Sequence, residues 1–407
     1  MKRSNPTSEE FVSIEDVRAL IPQDLQGKIE INWCNKNFIG KRSRITNHMK
    51  NRTASNTTFD GGVEVVFKEN IGLNVDIVNE LIAKLTDAGW IIQAVDLGSQ
   101  SADERIIGFL DQRCAIENFK FIYHSGIDDA LQSFSRTNAA SMAELEVYQD
   151  QLDPGFAMVN NDRSGLMEFV TRCSNLKKLT IHDCKYEDGE NSPDLDCGIF
   201  TYLPQLAELH LPDYNYLSSQ NIRDMTTNLN HNLKAITLFS GLEMYDYQVL
   251  EPFFERYHNL EKVSLRNFLD AEESTPVLGK SLQIIVKNNP DLTHLDIEGS
   301  ELSDDDLVAL LGELAINCQN LQSLNIQGCR STEQDNLPAD FDSRIHSGVV
   351  RLLRECSLLT KVILPNGRVL EDLNAITGFA QKPPISFHSS STESLGSQSE
   401  TEEEIVR

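Results

Sequence analysis

A chain of 407 residues, 40% hydrophobic and 24% charged, is long enough to bury a large core and has the composition of an ordinary folded protein. Its formal charge of −26 repels nucleic acid and anionic membranes over most of the surface, so no nucleic-acid partner is predicted and partners with basic patches are favoured. No stretch approaches the roughly 18 apolar residues of a membrane helix, and the opening MKRSNPTSEEFVSIEDV lacks an apolar segment, so neither membrane insertion nor a Sec signal is predicted.

In chain order, residues 1–59 read as an N-terminal cap. Lys28–Trp33 alternates like a strand. Residues 34–58 then carry Lys36, Lys41, Arg42, Arg44, Lys50 and Arg52 with no acidic residue. This basic segment has three readings: a solvated loop, an anion- or partner-binding patch, or a nuclear import signal. Val63–Phe67 alternates again. Ile92, Val95 and Leu97, and then Met142, Leu145 and Val147, are faint copies of an L-x-x-L-x-L pattern, with a strand-like run at Phe119–Tyr123 between them.

The pattern becomes regular from about residue 162. Its copies are Leu176, Leu179, Ile181; Leu206, Leu209, Leu211; Leu233, Ile236, Leu238; Leu260, Val263, Leu265; Leu292, Leu295, Ile297; Leu321, Leu324, Ile326; and Leu359, Val362, Leu364. Successive copies start 27 to 38 residues apart. Helical patterns fill the intervals, at 75–88, 103–114, 162–173, 217–229, 245–257, 276–288, 304–316 and 343–356. In Asp304–Ile316, Leu307, Leu310, Leu311 and Leu314 form one stripe, and Ser303 with Asp304–Asp306 predicts an acidic helix start. One strand–helix unit cannot cover its own apolar face, whereas stacked units bury a continuous core between a parallel sheet and a helical layer. Residues 60–366 are therefore predicted to form an α/β solenoid of about nine or ten repeats.

Two segments sharpen this. CQNLQSLNIQGC (Cys318 to Cys329) and CSNLKKLTIHDC (Cys173 to Cys184) place cysteines at the same repeat phase, and Cys356 opens a partial third copy. They resemble the cysteine-containing, ribonuclease-inhibitor-like class of leucine-rich repeat. Asn residues and Tyr257 stand at some positions where that class has Cys. The resemblance implies a horseshoe with parallel strands on its concave face, helices on its convex face and the partner held on the concave side. Ile21-Pro22-Gln23-Asp24-Leu25 is similar to the start of an F-box, but the strand-like Lys28–Trp33 follows where that module needs a long helical run.

Residues 367–407 form the tail. From Gln381 it is rich in Ser, Thr and Glu with few core-forming residues, which predicts disorder. One reading is an acidic solubilising tail. The other rests on Glu400, Glu402, Glu403 and Glu404 around Thr401, then Ile405 and Val406, with Thr392, Ser397 and Ser399 upstream. This cluster is similar to the C-terminal secretion signal of Legionella-type Dot/Icm effectors. The resemblance implies type IV secretion into a host cell's cytoplasm and a host protein as partner. Without export, the chain reads as a cytoplasmic adaptor, and an F-box would make it a ubiquitin-ligase substrate receptor.

No phosphate loop, H-E-x-x-H or G-x-S-x-G motif occurs, and the repeats leave little room for a separate catalytic domain, so no enzyme activity and no cofactor are predicted. Without a Sec signal the eight cysteines are expected to be reduced. Cys173 and Cys184 recur as Cys318 and Cys329 at the same repeat phase, which stacks them along a core rather than around one metal, so no metal site is predicted. Strand alternation gives the exposed set. It comprises Lys178, Thr180, His182; Glu208, His210; Ala235, Thr237, Phe239; Lys262, Ser264, Arg266; His294, Asp296, Glu298; Ser323, Asn325, Gln327; and Lys361, Ile363. The expected partner-binding residues are Lys178, His182, His210, Phe239, Arg266, His294 and Asp296, centred on His210, Phe239 and Arg266, in a chain expected to be monomeric.

Overall fold

The computed structural model describes residues 21, 29–33, 63–67, 75–87, 91–101, 103–149, 164–182, 195–212, 217–239, 247–268, 277–329 and 341–371. The basic segment 34–58, Cys34, Cys184 and the tail residues Glu400, Glu402, Glu403, Glu404 and Ile405 lie outside the described residues.

Among the described residues one sheet of thirteen strands runs through the chain, in sequence order. The strands are β1 (Ile29–Trp33), β2 (Val63–Phe67), β3 (Ile92–Ser101), β4 (Asn118–Tyr123), β5 (Glu144–Gln149), β6 (Lys178–His182) and β7 (Glu208–Leu211). They continue with β8 (Ala235–Phe239), β9 (Lys262–Arg266), β10 (His294–Asp296), β11 (Ser323–Asn325), β12 (Lys361–Ile363) and β13 (Val369–Leu370). From β2 to β12 every neighbour is parallel, while β1 and β13 close the two ends antiparallel. Parallel neighbours need a crossover between them, and short helices supply it. These are α1 (Val75–Asp87), α2 (Glu104–Arg113), α3 (Asp128–Asn138), α4 (Gly165–Arg172), α5 (Ser219–Asn228), α6 (Leu250–Glu255), α7 (Val277–Asn288), α8 (Asp304–Asn317) and α9 (Phe341–Glu355). A 3-10 helix at Cys197–Tyr202 takes the helix place between α4 and α5. Each unit touches the next, so the helices form a continuous layer. None of the described helices is long and apolar enough to cross a membrane.

The L-x-L pairs explain the layering. Leu179 and Ile181, Leu209 and Leu211, Val263 and Leu265, and their equivalents are fully buried or nearly so. Each such side chain contributes roughly 1.5–3 kcal/mol by leaving water. The helices answer with one stripe each, such as Leu307, Leu310, Leu311 and Leu314 in α8. Helix starts follow their capping residues. Ser164 accepts from Met167 N, Ser303 accepts from Asp306 N, and Ser218 with Asn221 forms a reciprocal capping box.

Several elements differ from the sequence reading; the 3-10 helix at Cys197–Tyr202 and strand β13, which lies in the segment read as tail, are not anticipated by it. Asp128–Asn138 is a helix, its apolar stripe made by Ala130, Leu131 and Phe134 with the small polar Ser135 and Asn138 also buried. The expected helix at 245–257 is a 3-10 turn at Tyr247–Val249 followed by the short α6. Pro252 sits in the first turn of α6, where its missing N–H costs nothing.

The Cys phase has a single physical role. Cys173, Cys318 and Cys356 are buried at helix C-termini and donate Sγ–H to nearby carbonyls, Cys356 to Cys318 O at 3.3 Å. Where Asn replaces Cys it bonds the neighbouring unit as well: Asn289 Oδ1 accepts from Leu260 N at 2.7 Å, and Asn230 Nδ2 donates to Leu206 O at 2.9 Å. Tyr257 fills the same place by bulk, with its hydroxyl buried and unpartnered. Burial pushes the thiols of Cys173 and Cys318 up to about 12, which removes thiolate chemistry from these positions at neutral pH.

After the strands of the last repeats the chain turns through the left-handed region at Asn267 (φ 56), Gly299 (φ 71), Gly328 (φ 67) and Gly367 (φ 77). Asn tolerates this conformation and glycine does so freely. Gly299 is the tightest, because a Cβ there would run into Asn267 Oδ1, whereas at Gly367 the nearest atom is 3.7 Å away. Gly299→Ala is therefore expected to cost about 1–3 kcal/mol in a urea melt and Gly367→Ala clearly less. Equal losses at the two positions are the contrary result.

Candidate functional site

The helices cover one face of the sheet. The other stays open, and its side chains are mostly half-buried or exposed. Parallel pairing lines these side chains up across the strands in three rows, with neighbours about 4.8 Å apart. The first row runs Asn118, Glu144, Lys178, Glu208, Ala235, Lys262, His294, Ser323 and Lys361. The second runs Asp96, Lys120, Glu146, Thr180, His210, Thr237, Ser264, Asp296 and Asn325. The third, at the C-terminal ends of the strands, pairs Ile122 with Tyr148, Tyr148 with His182 and Phe239 with Arg266. All seven residues expected to bind a partner lie in these rows. Ala235, Thr180 and Asn325, also expected to be exposed, are buried: the Ala235 methyl is flanked in register by the longer Glu208 and Lys262, and Thr180 and Asn325 lie in the middle row between neighbouring strands.

The most organised part of this face is a group the sequence reading did not single out. Glu146 Oε1 receives Lys120 Nζ at 3.1 Å, His182 Nε2 at 3.2 Å and the Tyr148 hydroxyl at 3.0 Å. Lys120 also reaches Asp96 at 3.8 Å. The His182 ring stacks on Tyr148 at 4.0 Å and 1° between planes, and Lys120 Nζ lies 5.3 Å from the Tyr148 ring centre. Burial pushes the Glu146 carboxyl up, but the hydrogen bonds from His182, Lys120 and Tyr148 and the Lys120 charge outweigh it and hold it at about 2. Burial likewise pulls the Lys120 ammonium down, and Glu146 with Asp96 more than offsets it.

A carboxyl held at about 2 against an ordinary 4.5 stabilises the fold at every pH above about 4.5, and the contribution disappears as pH falls from there towards 2. The shift corresponds to about 3 kcal/mol at most. Glu146→Gln is thus expected to lower stability at pH 7 and to flatten the acid limb between pH 4.5 and 2. Urea melts at pH 7 and pH 3 check this, and a variant with the parent's acid limb contradicts it.

Further along, His210 Nδ1 meets Thr237 Oγ1 at 2.8 Å and Nε2 meets Glu208 at 3.4 Å, an arrangement that lowers the Glu208 carboxyl. Arg266 is held rather than free: its Nε donates to Asp296 Oδ2 at 2.7 Å, Nη2 contacts the same oxygen, and Glu298 lies at 3.9 Å. Phe239 is half-buried beside it. Burial, with help from the Lys262 charge, lowers the His294 imidazole, so this histidine favours the neutral form. On β2 to β10 of this face the acids Glu64, Asp96, Glu144, Glu146, Glu208 and Asp296 outnumber the bases Lys120, Lys178, Lys262 and Arg266. Among the described residues no cluster of three His, Cys, Asp or Glu is arranged to hold a metal ion.

Lys120, Glu146 and Tyr148 escaped the sequence reading because their repeats match the leucine pattern weakly. Their strands, NFKFIY and ELEVYQ, nevertheless alternate strictly, and that period was the available signal.

No family model matches the chain. It is similar to Protein DIA2 of Saccharomyces cerevisiae, 25% identical over 226 residues, which is 52% of this chain and 31% of that protein, so the match spans about a third of the relative's length. Among solved structures it is similar to the leucine-rich repeat-containing protein LegL7 from Legionella pneumophila, with TM-score 0.42 and 13% identity over 79% of this chain and 98% of that one. It is also similar to Rad7, crystallised in complex with Elc1 from yeast, with TM-score 0.40 and 13% identity over 72% of this chain and 83% of that one. The consecutive strand–helix units on a mostly parallel sheet make the fold an α/β leucine-rich-repeat solenoid.

Proposed function

We propose that the chain is a non-enzymatic scaffold that binds another protein through the open face of its sheet. The observation that supports this is the face itself: an ordered array of ion pairs, histidines and half-buried aromatics, rigidly spaced by the strands. Ordered aromatic and arginine side chains are the groups that most often anchor protein interfaces. The test is recovery of a partner with the full chain, then measurement of its affinity for variants on the open face and on the helical layer. A partner indifferent to every open-face substitution sinks the proposal.

We further propose that the scaffold is a type IV effector that acts on a host protein. The support is the acidic cluster Glu400, Glu402, Glu403 and Glu404 followed by Ile405, with its similarity to that class of export signal. Deleting residues 393–407 is expected to abolish translocation of a reporter fusion while leaving the melting temperature unchanged. Undiminished translocation leaves the cytoplasmic adaptor as the better reading. Capture of a Skp1-type adaptor through residues 1–59 would favour a ubiquitin-ligase receptor instead.

A further inference from the structure

The helical layer changes charge at its end. The chain as a whole carries −26, and the stretch 304–329, which holds α8, has four acidic residues and no basic one. In 341–371, the unit of α9, five bases (Arg344, Arg351, Arg354, Lys361 and Arg368) stand against three acids. Arg344 is paired with Asp305 at 2.6 Å, whereas Arg351 and Arg354 are exposed and have no ion-pair partner among the described residues. Between the two helices lies a groove of about 380 Å³, with Val308 and Gly312 of α8 on one side and Ser343, Arg344, Ser347 and Arg351 of α9 on the other. It is open at Gly312, where an added Cβ would meet no neighbouring atom within 4 Å. Apolar space beside guanidinium charge suits a segment that carries both aliphatic and carboxylate side chains.

The chain holds such a segment within reach. Glu400, Glu402, Glu403 and Glu404 are followed by Ile405 and Val406, and 28 residues separate Glu371 from Glu400. A coil of that length spans roughly 30 Å, more than the roughly 22 Å of α9 itself. Glu371 pairs with Lys361 of β12 at 2.6 Å, so the tether starts in the same unit as α9. Tethering of this kind gives an effective concentration on the order of millimolar, which lets contacts too weak for separate molecules form.

We propose that the groove between α8 and α9 is a dock for the chain's own acidic segment Glu400–Val406, with its carboxylates at Arg351 and Arg354 and its aliphatic pair beside Val308 and Gly312. Docking shields the segment from any protein that reads it, and release exposes it. Exposed ion pairs contribute little to folding, so loss of the dock leaves the melting temperature in place. The dock depends neither on export, which the translocation assay tests separately, nor on the open face of the sheet.

The test treats the full chain with a glutamyl endoprotease under native conditions and follows cutting at Glu400, Glu402, Glu403 and Glu404 by intact mass. Gly312→Gln fills the groove where there is room for a side chain, and Arg351→Glu/Arg354→Glu reverses its charge. Cutting tracks the undocked fraction, so each variant is expected to be cut at least about fivefold faster than the parent. Two controls are expected to keep the parent's rate. Gly108→Gln adds the same side chain on α2, where a Cβ likewise meets nothing within 4 Å, and Arg351→Lys/Arg354→Lys keeps the charge. If charge reversal speeds cutting but Gly312→Gln does not, attraction to the basic helix explains the protection and the groove is wrong. If Gly108→Gln speeds it as much as Gly312→Gln, the effect is not local and the dock is overturned. The parent's rate in both groove variants excludes docking altogether.

Discussion

Phe134→Ala is expected to destabilise the chain by about 3–5 kcal/mol, the usual range for deleting a buried phenylalanine. Phe134 of α3 is fully buried, 5.4 Å from Phe119 of β4 and 5.7 Å from Phe169 of α4 by ring centres. The ring therefore joins two successive repeats, and the edge-on contact to Phe169 adds to simple burial. A solenoid is held by unit stability plus nearest-neighbour interfaces. Breaking this interface is expected to let the part before residue 134 melt separately. Urea titration followed by circular dichroism is expected to give two transitions where the parent gives one. A single transition displaced by less than about 1 kcal/mol contradicts this account of the core.

Phe239→Ala with Arg266→Ala is expected to weaken partner binding by about a hundredfold, roughly 2.7 kcal/mol, with a melting temperature within a few degrees of the parent. The structure divides the effect between the two. Phe239 presents apolar surface and supports no hydrogen-bond network. Arg266, held in place by Asp296, presents its guanidinium beside Phe239, so its truncation removes a second ordered contact. Exposed pairs of this kind contribute little to folding, which keeps the stability cost small. Tyr148→Ala is a poorer probe, because it also removes a bond to Glu146 and the stack on His182.

The regular half of the solenoid was legible because leucines are costly to expose and so keep strict spacing. Leu179 and Ile181, or Leu324 and Ile326, announce a strand by themselves. The earlier half keeps the same architecture with Phe119, Phe121 and Tyr123 in those places, so a search for leucine sees only faint copies. The period of two survives the change of residue type. Helix α3 was hidden for another reason: Ser135 and Asn138 are buried there and satisfied by hydrogen bonds, such as Ile116 N–H donating to Asn138 Oδ1 at 2.9 Å, so two of its five buried residues are polar.

The site was legible as a set of positions but not as a network. Alternation alone put His182, His210, Phe239, Arg266 and Asp296 on one face. It could not say that His182 belongs with Tyr148 and Glu146 one strand away, because that depends on the register between strands separated by a helix. The same register brings Ile122, Tyr148 and His182 side by side and sets Phe239 against Arg266.

The proposed binding surface is the open face of the sheet. The outer layer supplies the control: α8 and α9 leave a groove of about 380 Å³ lined by Val308, Gly312, Ser343, Arg344, Ser347 and Arg351. The deciding measurement is the dissociation constant of the recovered partner for the parent chain, for Phe239→Ala/Arg266→Ala and for Arg344→Ala/Arg351→Ala. A loss near a hundredfold for the first pair and an unchanged value for the second is the predicted result, and the reverse pattern contradicts it.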